Sequence, residues 1–390
     1  MTFGEKLRQL MAERQISQSR MAGLVPCNSG YVSRVARGLK VPSEEMAARF
    51  DEVLDAGGEL AALRPSTPVA PSPLDDELEA LDLVRRVTAS DVGEETLVAL
   101  EMTVDELASA YPRSAPGELL ARTCRHLGYV SRLMDARMTL SERRRLVVIG
   151  GWLSLLAATC DIDLGRRPVA AARLRTAAQL AEQAGHPEIL AWTLETRAWQ
   201  RLTDGDLQEA VKLARGAQEI APRDGSAFIQ ATAQEGRAWA RLGAGPETRE
   251  ALARVEQLVE PLPMPDHPEH HYRYDPAKSD AYTATTLAWI GDPAAEPYAR
   301  GVLTRLERPS SGPARPRRAA SARLDLALAL LAADQPDEAA HMALEAVTSG
   351  RLVPSNYWRA VEVIAAVEAR SVPAAAELNE AYRELCAPTG

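Results

Sequence analysis

Four small residues recur at one spacing. Ala158, Gly165, Ala170 and Ala177 stand seven, five and seven residues apart, and Ala198, Gly205, Ala210 and Ala217 repeat those intervals 40 residues later. A third anchor falls at Ala238, and partial copies begin at Ala284 with Gly291 and at Ala327 with Ala339 and Ala346, after intervals of 40, 46 and 43. Two antiparallel helices pressed together need small side chains where their axes approach, and glycine suits the turn between them. One such hairpin cannot bury its apolar face alone, so neighbouring copies must stack. The spacing therefore predicts five degenerate hairpins forming an α-solenoid over 150–390. Its concave face would be lined by the first helix of each pair.

The repeats resemble the tetratricopeptide (TPR) family, with "GDLQEA" (205–210) the nearest match. The period exceeds the usual TPR length, so longer helices are expected. Composition agrees with an all-α chain. Ala, Leu, Arg and Glu are abundant, and the whole sequence holds three Phe and few β-branched runs.

Trp199 and Trp239 stand beside Ala198 and Ala238, which would stack them one repeat apart along the concave face. Trp192, Glu195, Glu235, Lys278 and Trp289 fall on or near the same stripe. Aromatics mixed with fixed charges suit an extended peptide or an amphipathic helix. For any single Trp, packing between adjacent repeats is the more ordinary role, so the groove is assigned to the set and not to each member.

The other end of the chain differs in charge. The formal net charge is −9, yet residues 1–40 hold seven basic groups and two acidic ones, leaving −14 on the remaining 350. A basic head on an acidic body is expected where one small domain meets a polyanion. Thr2 can cap a helix over 3–14, with Phe3, Leu7, Leu10 and Met11 inward. Ser17 can cap a second from Gln18 to Val25. Pro26 and Cys27 break it, and Asn28 can cap a third that ends at Arg37 before Gly38. Val32 and Val35 face inward there and Ser29, Gly30, Ser33, Arg34 and Arg37 outward. Two short helices about a tight turn, the second polar and basic outside, make a helix-turn-helix.

"SQSRMAGLVPCNSGYVSRVARGLKVPS" (17–43) resembles the Cro/repressor-type (XRE) helix-turn-helix family. Its carriers are Gln18, Ala22, the Asn28 cap, "YVSRV" from Tyr31 to Val35, Gly38 and Pro42. The resemblance implies that Gln18 and Asn28 contact phosphate, that Ser29, Gly30, Ser33 and Arg34 face base edges, and that Arg37 and Lys40 lie near the backbone. Tyr31 belongs to the same face. Pro26 replaces the usual turn glycine. Gly30 stands where a base-reading side chain is common, so direct readout falls on Arg34.

The domain expectation is a helix-turn-helix domain at 1–63, a Pro-rich tether at 64–74, a helical adaptor at 75–149 and repeats over 150–390. "MPDHPEHHYRYDPAKSD" (264–280) holds His267 and His271 four apart near Asp266 and Asp275, but its prolines predict a surface connection and no metal. "ERPSSGPARPRRAA" (307–320) reads as a loop with a solvated Arg cluster. No nucleophile elbow, phosphate loop or supported carboxylate pair appears, so no catalysis and no cofactor are expected. The four scattered cysteines read as reduced thiols. The apolar stretch 146–160 is short for a membrane span and reads as a buried helix. The chain is expected in the cytoplasm, associated with the nucleoid.

The whole is then an all-α protein, an N-terminal helix-turn-helix bundle plus a C-terminal TPR-like α-solenoid. That architecture resembles the peptide-responsive regulators of the RRNPP type and the XRE–TPR regulators of actinobacteria; the 41 Arg against four Lys suit a GC-rich genome. The resemblance implies a homodimer on double-stranded, palindromic operator DNA, with a signalling peptide or small molecule as effector. A solenoid serving only as a protein-docking scaffold, and a TPR adaptor without DNA binding, are the alternatives.

Overall fold

The computed structural model describes residues 1–64, 91–263, 270–307 and 315–387. Every regular element among them is helical. Two compact units emerge, Met1–Asp75 and Asp76–Gly390. The tether from residue 65 onward and the start of the adaptor lie outside the described residues.

The first unit holds α1 (Phe3–Glu13), α2 (Gln18–Leu24), α3 (Ser29–Ala36), α4 (Glu44–Val53) and the short α5 (Glu59–Ala62). Each start follows from a cap. Thr2 and Glu5 form a reciprocal capping box at α1, and Ser17, Asn28 and Ser43 side chains accept from the first turns of α2, α3 and α4. Leu7, Met21, Val32, Phe50, Leu54 and Leu60 are fully buried between the helices. Gly4 sets the approach of α1 to α3, because a Cβ there would stand 2.8 Å from the carbonyl oxygens of Val35 and Ala36. Buried Asp51 ties α4 to α5 by accepting from the amides of Gly58, Leu60 and Ala61 at 2.6, 2.8 and 2.8 Å.

Among the described residues of the second unit, α6 (Glu94–Ala110) and α7 (Pro116–Leu133) come first. Six hairpins follow: α8 (Leu140–Asp163) with α9 (Arg167–Ala184), α10 (Pro187–Thr203) with α11 (Leu207–Ile220), and α12 (Ser226–Arg241) with α13 (Gly245–Val259). Then come α14 (Pro276–Trp289) with α15 (Ala295–Glu307), α16 (Pro316–Ala332) with α17 (Pro336–Thr348), and α18 (Tyr357–Ala369) with α19 (Ala375–Cys386). Helices α6 and α7 share one continuous core with α8–α10, running from Val92 through Leu146 to Trp192, so the expected adaptor is built into the stack. Helix α8 is the one described helix apolar and long enough to cross a membrane. Of its most apolar window, 83% is buried inside the stack.

The small-residue anchors sit where the helices touch. Ala158, Ala170, Ala177, Ala198, Ala210, Ala217, Ala327, Ala339 and Ala346 are all fully buried. The turn position seven residues after each anchor has positive φ: Gly165 at 71°, Gly205 at 80°, Gly291 at 68° and, without glycine, Asp334 at 57°. The sixth hairpin turns the same way at Ser371, φ 55°. Five copies were expected; the sixth is hidden because Ile364 stands at its anchor and serine at its turn.

The third copy departs from the others. Its left-handed turn is Gly243, φ 71°, five residues after Ala238 and not seven. Seven residues before it stands Gly236, where a Cβ would come 3.0 Å from Ala251 Cβ. The true anchor of α12 is thus Gly236, two residues earlier than Ala238.

Candidate nucleic-acid interface and effector cavity

On α3, Val32, Val35 and Ala36 are buried while Ser29, Gly30, Arg34 and Arg37 are exposed. Asn28 Oδ1 accepts from the Tyr31 amide at 2.8 Å, so its carbonyl is spent on the cap and its amide nitrogen is what remains for a phosphate. Gln18 opens α2 with its side chain exposed. Tyr31 is half-buried against the core, and Lys40 Nζ lies 4.9 Å from its ring centroid, which stations the ammonium beside α3. Ser33 is half-buried, and its carbonyl accepts from Arg37 Nε at 3.3 Å.

The basic groups of the head divide sharply. Lys6 pairs with Glu59 at 2.7 Å, Arg14 with Asp55 at 3.9 Å, and Arg8 donates to the Ala36 carbonyl. Those three hold the fold. Arg20, Arg34, Arg37 and Lys40 remain exposed on or beside α2 and α3. Arg20 was missed in the sequence, because the resemblance draws attention to the helix termini and to α3. The gap at Gly30 also has a use. Arg34 Nη1 lies 3.7 Å from where a Gly30 Cβ would be, so the missing side chain leaves room for the guanidinium over the first turn of α3.

In the second unit the first helices of the hairpins converge on one cavity of about 250 Å³. Its walls take Thr159 from α8; Trp192, Glu195, Thr196 and Trp199 from α10; Gln230, Gln234 and Arg237 from α12; Lys278 and Tyr282 from α14; Arg317, Arg318 and Asp325 from α16; and Arg359 from α18. Glu195 is 5% exposed and accepts from Gln230 Nε2 at 3.0 Å. Burial pushes its carboxyl up to about 7, against the pull of Gln230, Arg237 and Lys278. Lys278 Nζ donates to the carbonyls of His270, His271 and Arg273 at 3.1, 3.4 and 3.0 Å.

Four of the seven expected groove residues, Trp192, Glu195, Trp199 and Lys278, therefore line this cavity. The other three do not. Trp239 lies with Glu235 in a separate cleft, where Glu235 accepts from Arg215 Nε and Arg254 Nη2, both at 2.8 Å, Gln218 Nε2 at 2.9 Å and Trp239 Nε1 at 3.2 Å. Burial works to raise the Glu235 carboxyl, but the bonds from Gln218, Arg254 and Arg215 hold it at about 2. Trp289 faces a third cleft, 5.9 Å from the Trp358 ring. The two-residue displacement of α12 explains the split. Position 239 looks equivalent to 199 by the 40-residue repeat, but in space Arg237 takes the place of Trp199, and two residues along a helix turn a side chain by about 200°.

Two expected surface loops are also corrected. Residues 264–269, with Asp266 and His267, lie outside the described residues, but the stretch that follows is buried. His270, Tyr272, Tyr274 and Asp275 are at most 5% exposed. Tyr272 packs between Trp152 and Trp192 with ring centroids 5.0 and 5.3 Å away, and His271 lies 4.2 Å from the Tyr111 ring. The prolines read as surface, but three aromatic rings bury more area than an exposed loop returns. Burial, then Arg273, lowers His270 to about 4, and burial, then Lys278, holds His271 well below its ordinary range. Among the described residues no three His, Cys, Asp or Glu stand together to hold a metal. In the second stretch Arg317 is partly buried, its side chain 11% exposed, and not solvated. It pairs with Asp163 at 2.5 Å and donates to the Tyr111 carbonyl at 2.7 Å.

A helix-turn-helix domain family matches residues 2–63, the span of α1–α5. No curated protein matches the chain. Among solved structures the chain is similar to PlcR of Bacillus thuringiensis, crystallised in complex with the peptide PapR7 and DNA. The identity is 14%, over 66% of this chain and 94% of that one, with a TM-score of 0.27. The N-terminal unit holds a DNA-binding helix-turn-helix domain, and helical hairpins follow it.

Proposed function

We propose that the protein is a cytoplasmic, sequence-specific transcription regulator that binds operator DNA as a homodimer and whose helical hairpins sense a peptide or small effector. The observation that carries this reading is the outer face of α3. Arg34 makes no hydrogen bond or ion pair among the described residues, while Lys6, Arg8 and Arg14 are all engaged within the head. An unengaged guanidinium on the second helix of a helix-turn-helix is placed to grip a guanine through two hydrogen bonds.

Gly30 adds no contact of its own, so a single head discriminates weakly. Two heads on a palindromic site multiply the discrimination, which is the physical reason to expect a dimer. The cavity is the sensing element. A ligand held between the first helices of several hairpins changes DNA affinity by the ratio of its affinities for two arrangements of the stack.

The test begins with footprinting of the full chain on genomic fragments, followed by anisotropy titration of the recovered site. Arg34→Ala is expected to weaken binding to that site by about 1–3 kcal/mol and to relax the preference at one base pair. A wild type that shows no sequence preference, or an alanine variant with unchanged preference, refutes the reading.

A further inference from the structure

The lining of the cavity is rich in positive charge. Six guanidinium or ammonium groups line it against two carboxylates, in a chain whose formal net charge is −9. Most of the six have partners. Arg359 Nη1 donates to Asp325 at 2.9 Å, Arg317 pairs with Asp163, and Lys278 donates to backbone carbonyls. Arg237 differs. It is 3% exposed, its Nη1 donates to Gln234 Oε1 at 3.1 Å, and its Nε and Nη2 have no partner. Gln234, fully buried beside it, has an unpartnered Nε2 as well.

The rings of Tyr282 and Trp289 flank the guanidinium, each centroid 5.3 Å away, and fix its plane. The charged groups that face Arg237 are Arg359, Asp325 and Glu195. Asp325 is committed to Arg359, and Glu195 is bonded to Gln230. Burial and the neighbouring Arg359 lower the Arg237 guanidinium to about 10, which leaves it charged at neutral pH. A buried planar fork with two free N–H edges, next to a free amide N–H, fits a planar or tetrahedral oxyanion.

We propose that this cavity is a site for a small ligand bearing an oxyanion, with Arg237 and Gln234 as its donors. The proposal rests on the sensing role of the cavity and names the chemistry of the effector. The oxyanion has two sources, a carboxylate such as a peptide C-terminus or a phosphate, and the test separates them.

The full chain is titrated at constant ionic strength with inorganic phosphate, with acetyl-trialanine bearing a free carboxylate, and with its amide. Tryptophan fluorescence and melting temperature are the readouts. Saturable binding of phosphate assigns a phosphate site. Binding of the free carboxylate but not of the amide assigns a carboxylate site, and if both bind, the tighter names the source. Arg237→Met is expected to weaken the anion about 10- to 100-fold, as loss of charge-assisted hydrogen bonds does. It is also expected to raise the melting temperature of the ligand-free protein, because an unpaired buried charge is gone. Arg237→Lys keeps the charge without the fork and retains part of the binding.

The proposal is overturned if neither anion saturates, if the methionine variant binds like wild type, or if that variant melts lower without ligand, which would make Arg237 a structural residue. DNA binding measured on the same preparations separates the two ideas. Anion binding without sequence-specific DNA binding refutes the regulator and leaves the site, and the reverse result refutes the site alone.

Discussion

Glu195→Gln tests whether the cavity is as dry and as charged as its geometry states. Glu195 is held among Gln230, Arg237, Lys278 and Tyr282 on α10, α12 and α14, and burial raises its carboxyl from 4.5 to about 7. The folded protein therefore keeps a proton there that the unfolded chain releases near its ordinary value. Between about pH 4.5 and 7 the native state binds more protons than the unfolded one, so this group makes stability fall as pH rises. The displacement from 4.5 to about 7 corresponds to about 3 kcal/mol. That penalty is absent below the lower value and complete above the upper. Glutamine keeps the shape and can still accept from Gln230 Nε2, but cannot ionise.

The variant should thus match wild type at about pH 4.5 and exceed it by up to about 3 kcal/mol at about pH 8. His186, His270 and His271 work in the opposite sense, since burial lowers all three and each loses stability as pH falls below its ordinary value. They are present in both proteins, so the difference between the two stability curves isolates Glu195. Urea denaturation followed by tryptophan fluorescence reads the right unit, because all six tryptophans lie between Trp152 and Trp358. A difference that stays constant from acid to alkaline pH refutes the reasoning. So does a variant less stable at alkaline pH, which would mean that ionised Glu195 is held by Arg237 after all.

Two further changes probe the fold that carries the two sites. Gly4→Ala drives a methyl into the carbonyls of Val35 and Ala36 and should cost the first unit about 1–3 kcal/mol, seen as a lower head transition by far-ultraviolet circular dichroism with tryptophan fluorescence unmoved. Arg317→Met strips buried Asp163 of its cation, leaving the Tyr111 hydroxyl at 2.7 Å and the Ser355 hydroxyl at 2.6 Å, and should destabilise the hairpin unit by about 3–5 kcal/mol; a double variant with Asp163→Asn should recover much of that loss.

The elements were legible where short-range rules act alone. Caps at Thr2, Ser17 and Asn28 depend on a side chain and an amide three residues apart, so the first three helices could be read within a residue or two. The hairpins were legible through their small residues for the same reason. A helix pair cannot approach closely around a large side chain, and the sequence must show it. The rule fails where the contact is made differently. Ile364 and Ser371 hide the sixth hairpin, and Gly236 with Gly243 shifts α12 by two residues against the apparent repeat. A periodic template averages over such a slip, so Trp239 was aligned with Trp199 although Arg237 fills its place. The burial of Tyr272 and the pairing of Arg317 were illegible for another reason. Their partners, Trp152, Trp192 and Asp163, are more than 70 residues away in the chain, and prolines nearby imitate a surface loop.

The charges inside the stack fall into two kinds, and the difference carries the functional argument. Asp163 is held by Arg317, Tyr111 and Ser355, and Glu235 by Arg215, Arg254, Gln218 and Trp239. Those carboxylates are satisfied in the manner of structural ion pairs, and removing a partner harms the fold. Arg237 and Glu195 occupy one cavity without pairing to each other. One has two free N–H edges, and the other is kept near neutrality by burial. As stability devices both are poor, since apolar residues of similar volume would cost the fold less. Because they stand where the first helices of six hairpins meet, a bound oxyanion would repay the Arg237 cost through several hairpins at once, so a ligand held there bears on the stack as a whole.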